Sequence, residues 1–600
     1  MQSTSLKVGS WKLTDLVKDP QGIEFKHLLN SIDMEVKRFE GIRKHLRPDI
    51  STAKFEELIH RIERIYEKVS IAAGYAHLLY YADTSSNEAT ALVTKMEAMV
   101  ADVTNRLLFF DLWFKKEIDE ENAARLINSV PIVYREYLRH KRLLARYSLT
   151  ESEERIVNTL KVTGSRALVK LYDKITNGFT FTIKTKRGRK VITRTFGNKE
   201  KLLSLIRSPR AQEREAAYKA LWEVYKKSNG VLGEIYQNIV IQWRDEGISM
   251  RGYKSPISVR NIANNLDDRT VEVLLAVCRK NAVIFQKYFM EKAKIIGIKK
   301  LRRYDLYAPF SSKTFEQKRF TYGRAVDMLL ETFEDFDPRF RKFAERIFIE
   351  QHIDSEIRNG KRSGAFCYTV TPKMTPYVLL NFDGKIKDVS TLAHEFGHAI
   401  HSMAASDKPI VVSQPPLPLA EMASVFAEML LNDKLAEKIS GNELRLLLAE
   451  EIDDMYSTIM RQAYFTLFEI EAHNAIAKSN VTIDEVSKIY LNNLAEQFGE
   501  SVSITPDFQW EWLYVPHFYH TPFYCYAYSF GNLLVLSLYQ RYKVEGKSFV
   551  SNYLNILSSG GSRKPEELLI ENGIDISKEE FWQDGFDLVE EKVLQLEELS

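Results

Sequence analysis

The string Thr-Leu-Ala-His-Glu-Phe-Gly-His, residues 391–398, constrains this chain more than any other stretch. His394 and His398 are four residues apart, and that spacing puts them on one face when the segment is an α-helix. Two imidazole nitrogens then reach a single ion, while Glu395 lies beside them without having to ligate it. The neighbours Ala393, Phe396, Ala399 and Ile400 are apolar, so the helix is expected to be buried rather than a solvated surface helix carrying two histidines. The pattern is the HExxH zinc arrangement, with His394 and His398 as ligands to one zinc ion per chain.

A third ligand is required, because catalytic zinc takes three protein ligands and keeps one position open. One known pattern places a histidine six residues beyond His398, but that position is Ala404. His401 lies a full turn past the pair and is expected to pack or to support the ligands rather than bind the ion. The other solution is a glutamate from a following helix. Residues 419–428 offer Glu421 and Glu428, which are seven apart and share a helix face. Glu421 follows His398 after 22 intervening residues, enough for the Pro-rich loop 408–418 and an antiparallel return. Glu421 is therefore expected as the third ligand. Glu428 is expected to accept a histidine N–H, against the plainer reading of a surface charge.

The rest of the chain supports a large, mainly helical protein. Over 600 residues, 45% are hydrophobic and 28% charged, ample for a core and far from a disordered composition. Lys+Arg 84 against Asp+Glu 81 leaves +3, so no nucleic-acid partner is expected. Three distant cysteines make neither a disulfide framework nor a zinc knuckle, and no signal peptide is visible; a cytoplasmic location is expected. Residues 512–540 lack Asp, Glu, Lys and Arg but carry two prolines, two histidines and six tyrosines. That content reads as a buried, tyrosine-rich wall of a cleft, not a membrane span, and no membrane partner is expected. Apolar residues recur at three and four over 55–82, 89–114, 151–176 and 208–245, predicting helices. Residues 178–198 alternate around KRGRK and predict a β-hairpin. It marks a boundary between an N-terminal helical lobe, 1–200, and a catalytic domain, 201–600. A second β-rich stretch, 364–384, precedes the helix predicted over 390–405, and SSGGSRKP at 558–565 reads as a turn ahead of a helix, since no GK[ST] comes after it.

TLAHEFGHAIHS, LAEMASVFAE and HFYHTPFYCYAYSFG together resemble the thimet oligopeptidase family of zinc metallopeptidases, oligoendopeptidase F branch. GKRSGAFCYTV with PYVLLNF, and the tail SSGGSRKPEELL…GIDISKEEFW, are similar to the same branch, so the resemblance spans about 360–582. It implies a two-lobed, mainly α-helical zincin-like fold with a deep channel and a small β-sheet beside the zinc helix. It implies hydrolysis of short peptides, with the zinc held by the two histidines and the glutamate of the following helix. Tyr526 and His517 of the tyrosine-rich segment are implied as stabilisers of the tetrahedral intermediate, with Tyr524 and His520 near the substrate.

The chemistry asks for the same residue types. Glu395 can take a proton from the attacking water and deliver it to the departing amine. Gly364 and Ala365 are small enough for an extended peptide to pair with the backbone there, against an ordinary strand start. Two alternatives stay open: a zinc carboxypeptidase or dipeptidyl carboxypeptidase of the same helical build, and a non-catalytic helical peptide-binding protein with a structural metal. A non-ligating Glu395 has no use in the latter. Oligomeric state has no signature in the sequence.

Overall fold

Helix starts follow local hydrogen bonding. In a computed structural model, which describes residues 7–310, 319–478 and 481–599, the Ser51 and Ser86 side chains accept the backbone N–H of Lys54 and Ala89. They cap the helices Thr52–Ala82 and Asn87–Leu112, which the apolar spacing anticipates within a few residues. The helix expected over 151–176 is two, Glu151–Thr163 and Ser165–Asn177, broken at Gly164. That over 208–245 is also two, Ala211–Lys227 and Asn229–Arg244, parted at Ser228 of a Ser-Asn-Gly run that favours turns. Among the described residues no helix is long and apolar enough to cross a membrane.

The chain forms two compact units, each from three separated stretches. The first combines Met1–Arg146, Gln317–Glu437 and Arg541–Asp575; the second combines Tyr147–Glu316, Lys438–Gln540 and Ile576–Ser600. The boundary expected near residue 200 thus falls inside the second unit. The hairpin explains why. Its strands Phe181–Arg187 and Lys190–Phe196 bury Phe181 and Ile183, and Arg194 pairs with Glu213 of the helix Ala211–Lys227, so the hairpin ties the chain on either side of residue 200 into one body.

In the first unit an aromatic core fills the space between the long helices: Phe55 stacks on Phe114 with ring centroids 5.5 Å apart, and Phe39 meets Phe110 edge-on at 5.5 Å. A small sheet packs beside the helix that carries the two histidines. Its central strand, Tyr377–Leu379, pairs in parallel with Ile353–Asp354 and antiparallel with Phe366–Tyr368, with Cys367 opposite Val378. Phe366–Tyr368 is therefore an edge strand.

The motif helix, Ile386–Ala404, starts where the Asp388 carboxylate accepts the backbone N–H groups of Asp383 and Lys385. Ala393, Phe396, Ala399 and Ile400 are completely buried, as their sequence pattern requires. The return helix, Met422–Ala436, lies against it, and Ser390 Oγ donates to Asn432 Oδ1 at 2.8 Å in the shared interior. Gly397 is what permits this approach. A Cβ there would stand 2.3 Å from the Ala423 carbonyl oxygen and 2.5 Å from the Ser424 Cα, both backbone atoms that cannot swing away. Gly397→Ala must push the helices apart. The expected result is a loss of about 1–3 kcal/mol of stability together with a fall in metal affinity, read by denaturant unfolding and metal titration; unchanged values in both would contradict the packing argument.

Candidate metal centre

The return helix begins three residues later than expected: Leu417–Leu419 form a 3₁₀ turn and Glu421 is the residue just ahead of the first helical turn. From there its carboxylate reaches back to the motif helix. Glu421 Oε2 lies 3.5 Å from His394 Nε2 and 3.4 Å from His398 Nε2. Ser424 Oγ donates to the same Oε2 at 2.8 Å and to the Glu421 carbonyl at 3.0 Å, fixing the side chain. Glu428 Oε2 accepts from His394 Nδ1 at 3.2 Å, the orienting contact expected of it.

Two backbone anchors hold the segment that joins the ligand-bearing elements. Tyr553 Oη donates to the Met422 carbonyl at 3.0 Å, and the Gly561 N–H donates to the Val412 carbonyl at 2.8 Å. The Gly-Ser turn of 558–565 thus serves to position the Pro-rich loop.

These residues fit a divalent cation. The donor atoms of His394, His398 and Glu421 all lie within 4.8 Å of one another. Ligands of a tetrahedral ion at ~2.1 Å stand about 3.4 Å apart, which the two imidazole–carboxylate distances match. The electrostatics agree. Burial alone would lower the His394 pKa, but its hydrogen bond to Glu428 and the charges of Glu428, Glu421 and Glu395 prevail and push it up to about 9. Burial would raise Glu421, yet His398, His394 and Ser424 hold it down at about 2. A site that binds a proton this firmly among three carboxylates is one that a cation would occupy in its place. Glu395 is 7% exposed, and burial followed by the neighbouring carboxylates raises its pKa, while the two histidines oppose the rise. That is the behaviour wanted of a proton-transferring acid.

His401 is buried, with Nδ1 lacking a hydrogen-bond partner among the described residues, and burial pushes its pKa down to about 3. It packs as a neutral ring. Gly364 is exposed in the left-handed region at φ +82, with open space where a Cβ would be, and its carbonyl accepts from Asn381 Nδ2 at 2.8 Å. Ala365 leads directly into the edge strand.

In the second unit, the tyrosine-rich segment separates its members. Tyr526 is fully buried and its hydroxyl oxygen accepts from Asn264 Nδ2 at 2.8 Å. Tyr524 and Tyr528 are half-buried and, with half-buried His517, form a ring cluster: His517 lies 5.9 Å from each tyrosine and the tyrosines 5.3 Å apart. Burial, and then the charges of His520 and Arg461, lower the His517 pKa and keep the ring neutral. His520 is exposed and bound to Asp173 at 2.8 Å. Asn264 and Tyr528 were invisible as functional neighbours in the sequence. Ser424, one turn beyond Glu421, was detectable by its spacing.

The model of Peptidase family M3 matches residues 204–588, and that of Oligopeptidase F matches residues 116–181. The chain belongs to peptidase family M3. This M3 peptidase is a metalloendopeptidase. It is 26% identical over 587 residues to an oligoendopeptidase F homolog of Borreliella burgdorferi, covering 95% of this chain and 94% of that one. It is 28% identical over 432 residues to the chromosomal oligoendopeptidase F of Lactococcus lactis subsp. cremoris, covering 72% and 70%. Its fold matches a crystallographically solved Chlamydophila abortus chain with TM-score 0.87 at 24% identity, over 100% and 99% of the two chains.

Removing the orienting carboxylate should weaken the centre of the M3 peptidase without abolishing it. Glu428→Ala is expected to lower metal affinity ~10–100-fold, whereas His398→Ala should lose nearly all metal. Competition with a chromophoric chelator measures both, and equal affinities across the three proteins would overturn the ligand assignment.

Proposed function

We propose that this M3 peptidase hydrolyses internal bonds of short oligopeptides, using one zinc ion held by His394, His398 and Glu421. The observation that carries this is the convergence of two Nε2 atoms on Glu421 Oε2, at 3.5 and 3.4 Å, with a buried Glu395, its pKa raised by that burial, beside them. When bound, zinc supplies a Lewis acid that brings the pKa of water towards ~7 and polarises a carbonyl. Glu395 takes the proton from the attacking water and returns it to the leaving amine. Glu428 keeps His394 in the orientation and tautomer that point Nε2 at the ion. The edge strand Phe366–Tyr368, with Gly364 and Ala365 ahead of it, offers backbone groups to an extended substrate. The names of the two relatives, both oligoendopeptidase F, support endo-cleavage of oligopeptides.

For the developing oxyanion we propose Tyr524 with His517. Tyr526, favoured by its place in the Pro-Phe-Tyr-x-Tyr pattern, is fully buried with its hydroxyl oxygen accepting from Asn264, whereas Tyr524 and His517 are half-buried in one cluster.

Glu395→Gln keeps shape and ligands, so it should retain metal while hydrolysis of an internally quenched peptide falls steeply. Tyr524→Phe should lower kcat by ~10²–10³ with KM little changed, and Tyr526→Phe should leave kcat nearly intact. The reverse order would return the role to Tyr526. C-terminal amidation of the peptide should not change the cleavage position, while a carboxypeptidase would lose activity on it. Intact casein should be cut far more slowly than a short peptide, and equal rates would contradict the oligopeptide assignment.

A further inference from the structure

Phe523, immediately before Tyr524, has φ +57. The left-handed region is sterically costly for a bulky aromatic, and such outliers persist only where the surroundings enforce them. The other described non-glycine residues with positive φ are Asn265 and Gln351, polar residues, the asparagine of a type that tolerates the conformation.

What enforces it at Phe523 is visible. Its N–H donates to Glu469 Oε1 at 2.9 Å, in the interior of the second unit. The guanidinium of Arg260 donates to the preceding carbonyl, that of Pro522, from Nε and Nη2, both at 3.3 Å. The His473 ring packs on the Phe523 ring with centroids 4.5 Å apart. Glu469 and His473 are four residues apart on the helix Arg461–Lys478 and so share a face.

This arrangement is poor for stability. Glu469 is 0% and His473 2% exposed. Glu469 Oε2, both His473 ring nitrogens and the Tyr236 and Tyr519 hydroxyls find no hydrogen-bond partner among the described residues. They are neighbours: Tyr236 lies 6.4 Å from His473 and 5.7 Å from Tyr519, ring to ring. Native interiors hold few such atoms, and each carries an unrecovered desolvation cost. Burial raises Glu469 to about 8, against the Phe523 N–H and Arg260, and lowers His473 to about 3. An aliphatic residue at 469 would remove the unpaired Oε2 and the burial of an acid, leaving the Phe523 N–H without its acceptor. Beyond that one acceptor, packing gives no reason for an acid there.

We propose that Glu469 is a positioning residue for the peptidase reaction: by binding the Phe523 N–H it locks the Pro522 to Tyr524 turn in its left-handed form and so aims the Tyr524 hydroxyl. The proposal rests on Tyr524 as the oxyanion donor. It explains why a strained aromatic and a buried acid stand together beside the half-buried His517–Tyr524–Tyr528 cluster.

Glu469→Met removes the acceptor at similar volume, and Glu469→Gln keeps an oxygen for the same N–H. The Met variant should lose ~10–100-fold in kcat, as misplacement of a reacting group by about 1 Å does. Its KM and metal content should stay unchanged and it should stay folded with Tm little shifted, because the lost acceptor and the removed buried acid oppose one another. The Gln variant should recover most of kcat. Combined with Tyr524→Phe, Glu469→Met should add little further loss, because both act through one hydroxyl. Additive losses, a kcat left intact by Glu469→Met, or a Met variant that no longer folds would each overturn the positioning role. A Tyr524→Phe variant with full kcat would instead overturn the oxyanion assignment on which it rests, and the two failures are separable in one set of proteins.

Discussion

With no side chain at Gly397, the backbone of Ala423 and Ser424 enters the space beside the motif helix that a Cβ would fill, at 2.3 and 2.5 Å. Almost every chemical feature of the first unit depends on that approach. Glu421 stands two residues ahead of the contact, and its Oε2 lies 3.5 and 3.4 Å from the Nε2 atoms of the two histidines. Ser424, at the contact itself, is in place to hold the carboxylate. Seven residues past Glu421, two helical turns along, Glu428 meets the far nitrogen of His394, and the Ser390–Asn432 hydrogen bond fixes the register of the two helices. A single extra methyl group would act on all of these at once, because helices move as rigid bodies while side chains do not.

The same approach concentrates charge. Glu395, Glu421 and Glu428 face two imidazoles in a half-buried to buried setting, where each carboxylate needs a positive partner. His394 supplies one by holding its proton up to about 9, and Glu421 yields its own down to about 2. A divalent ion satisfies the set better than a proton, since it interacts with both imidazoles and the ligand carboxylate together. Glu395 is left out of that set, and its raised pKa suits the carboxylate that must carry a proton in turn.

Much of this was legible in advance because it depends on periodicity. The HExxH spacing, the apolar neighbours of the motif helix, the hairpin at 178–198 and the β-rich stretch before the motif helix all reflect which residues share a face. Where the sequence misled, non-local packing was responsible. The hairpin suggested a boundary after it, but Arg194 and Glu213 bind it to the next helix. Tyr526 matched a local pattern, and Asn264, 262 residues away along the chain, donates to its hydroxyl oxygen, a contact no local pattern shows.

Sequence by itself determined the helical class, pointed to the three candidate metal donors and the candidate base, and required a loop and a return between them, because local geometry dictates what a four-residue or seven-residue spacing can present. Tertiary structure decided which tyrosine is fully buried, where the charges settle and which residues contact the candidate ligands. Those depend on neighbours far along the chain, 54 residues or more away, whose burial and hydrogen bonding leave no periodic mark: Tyr553 behind Met422, Gly561 behind Val412, and Glu469 behind the strained peptide of Phe523.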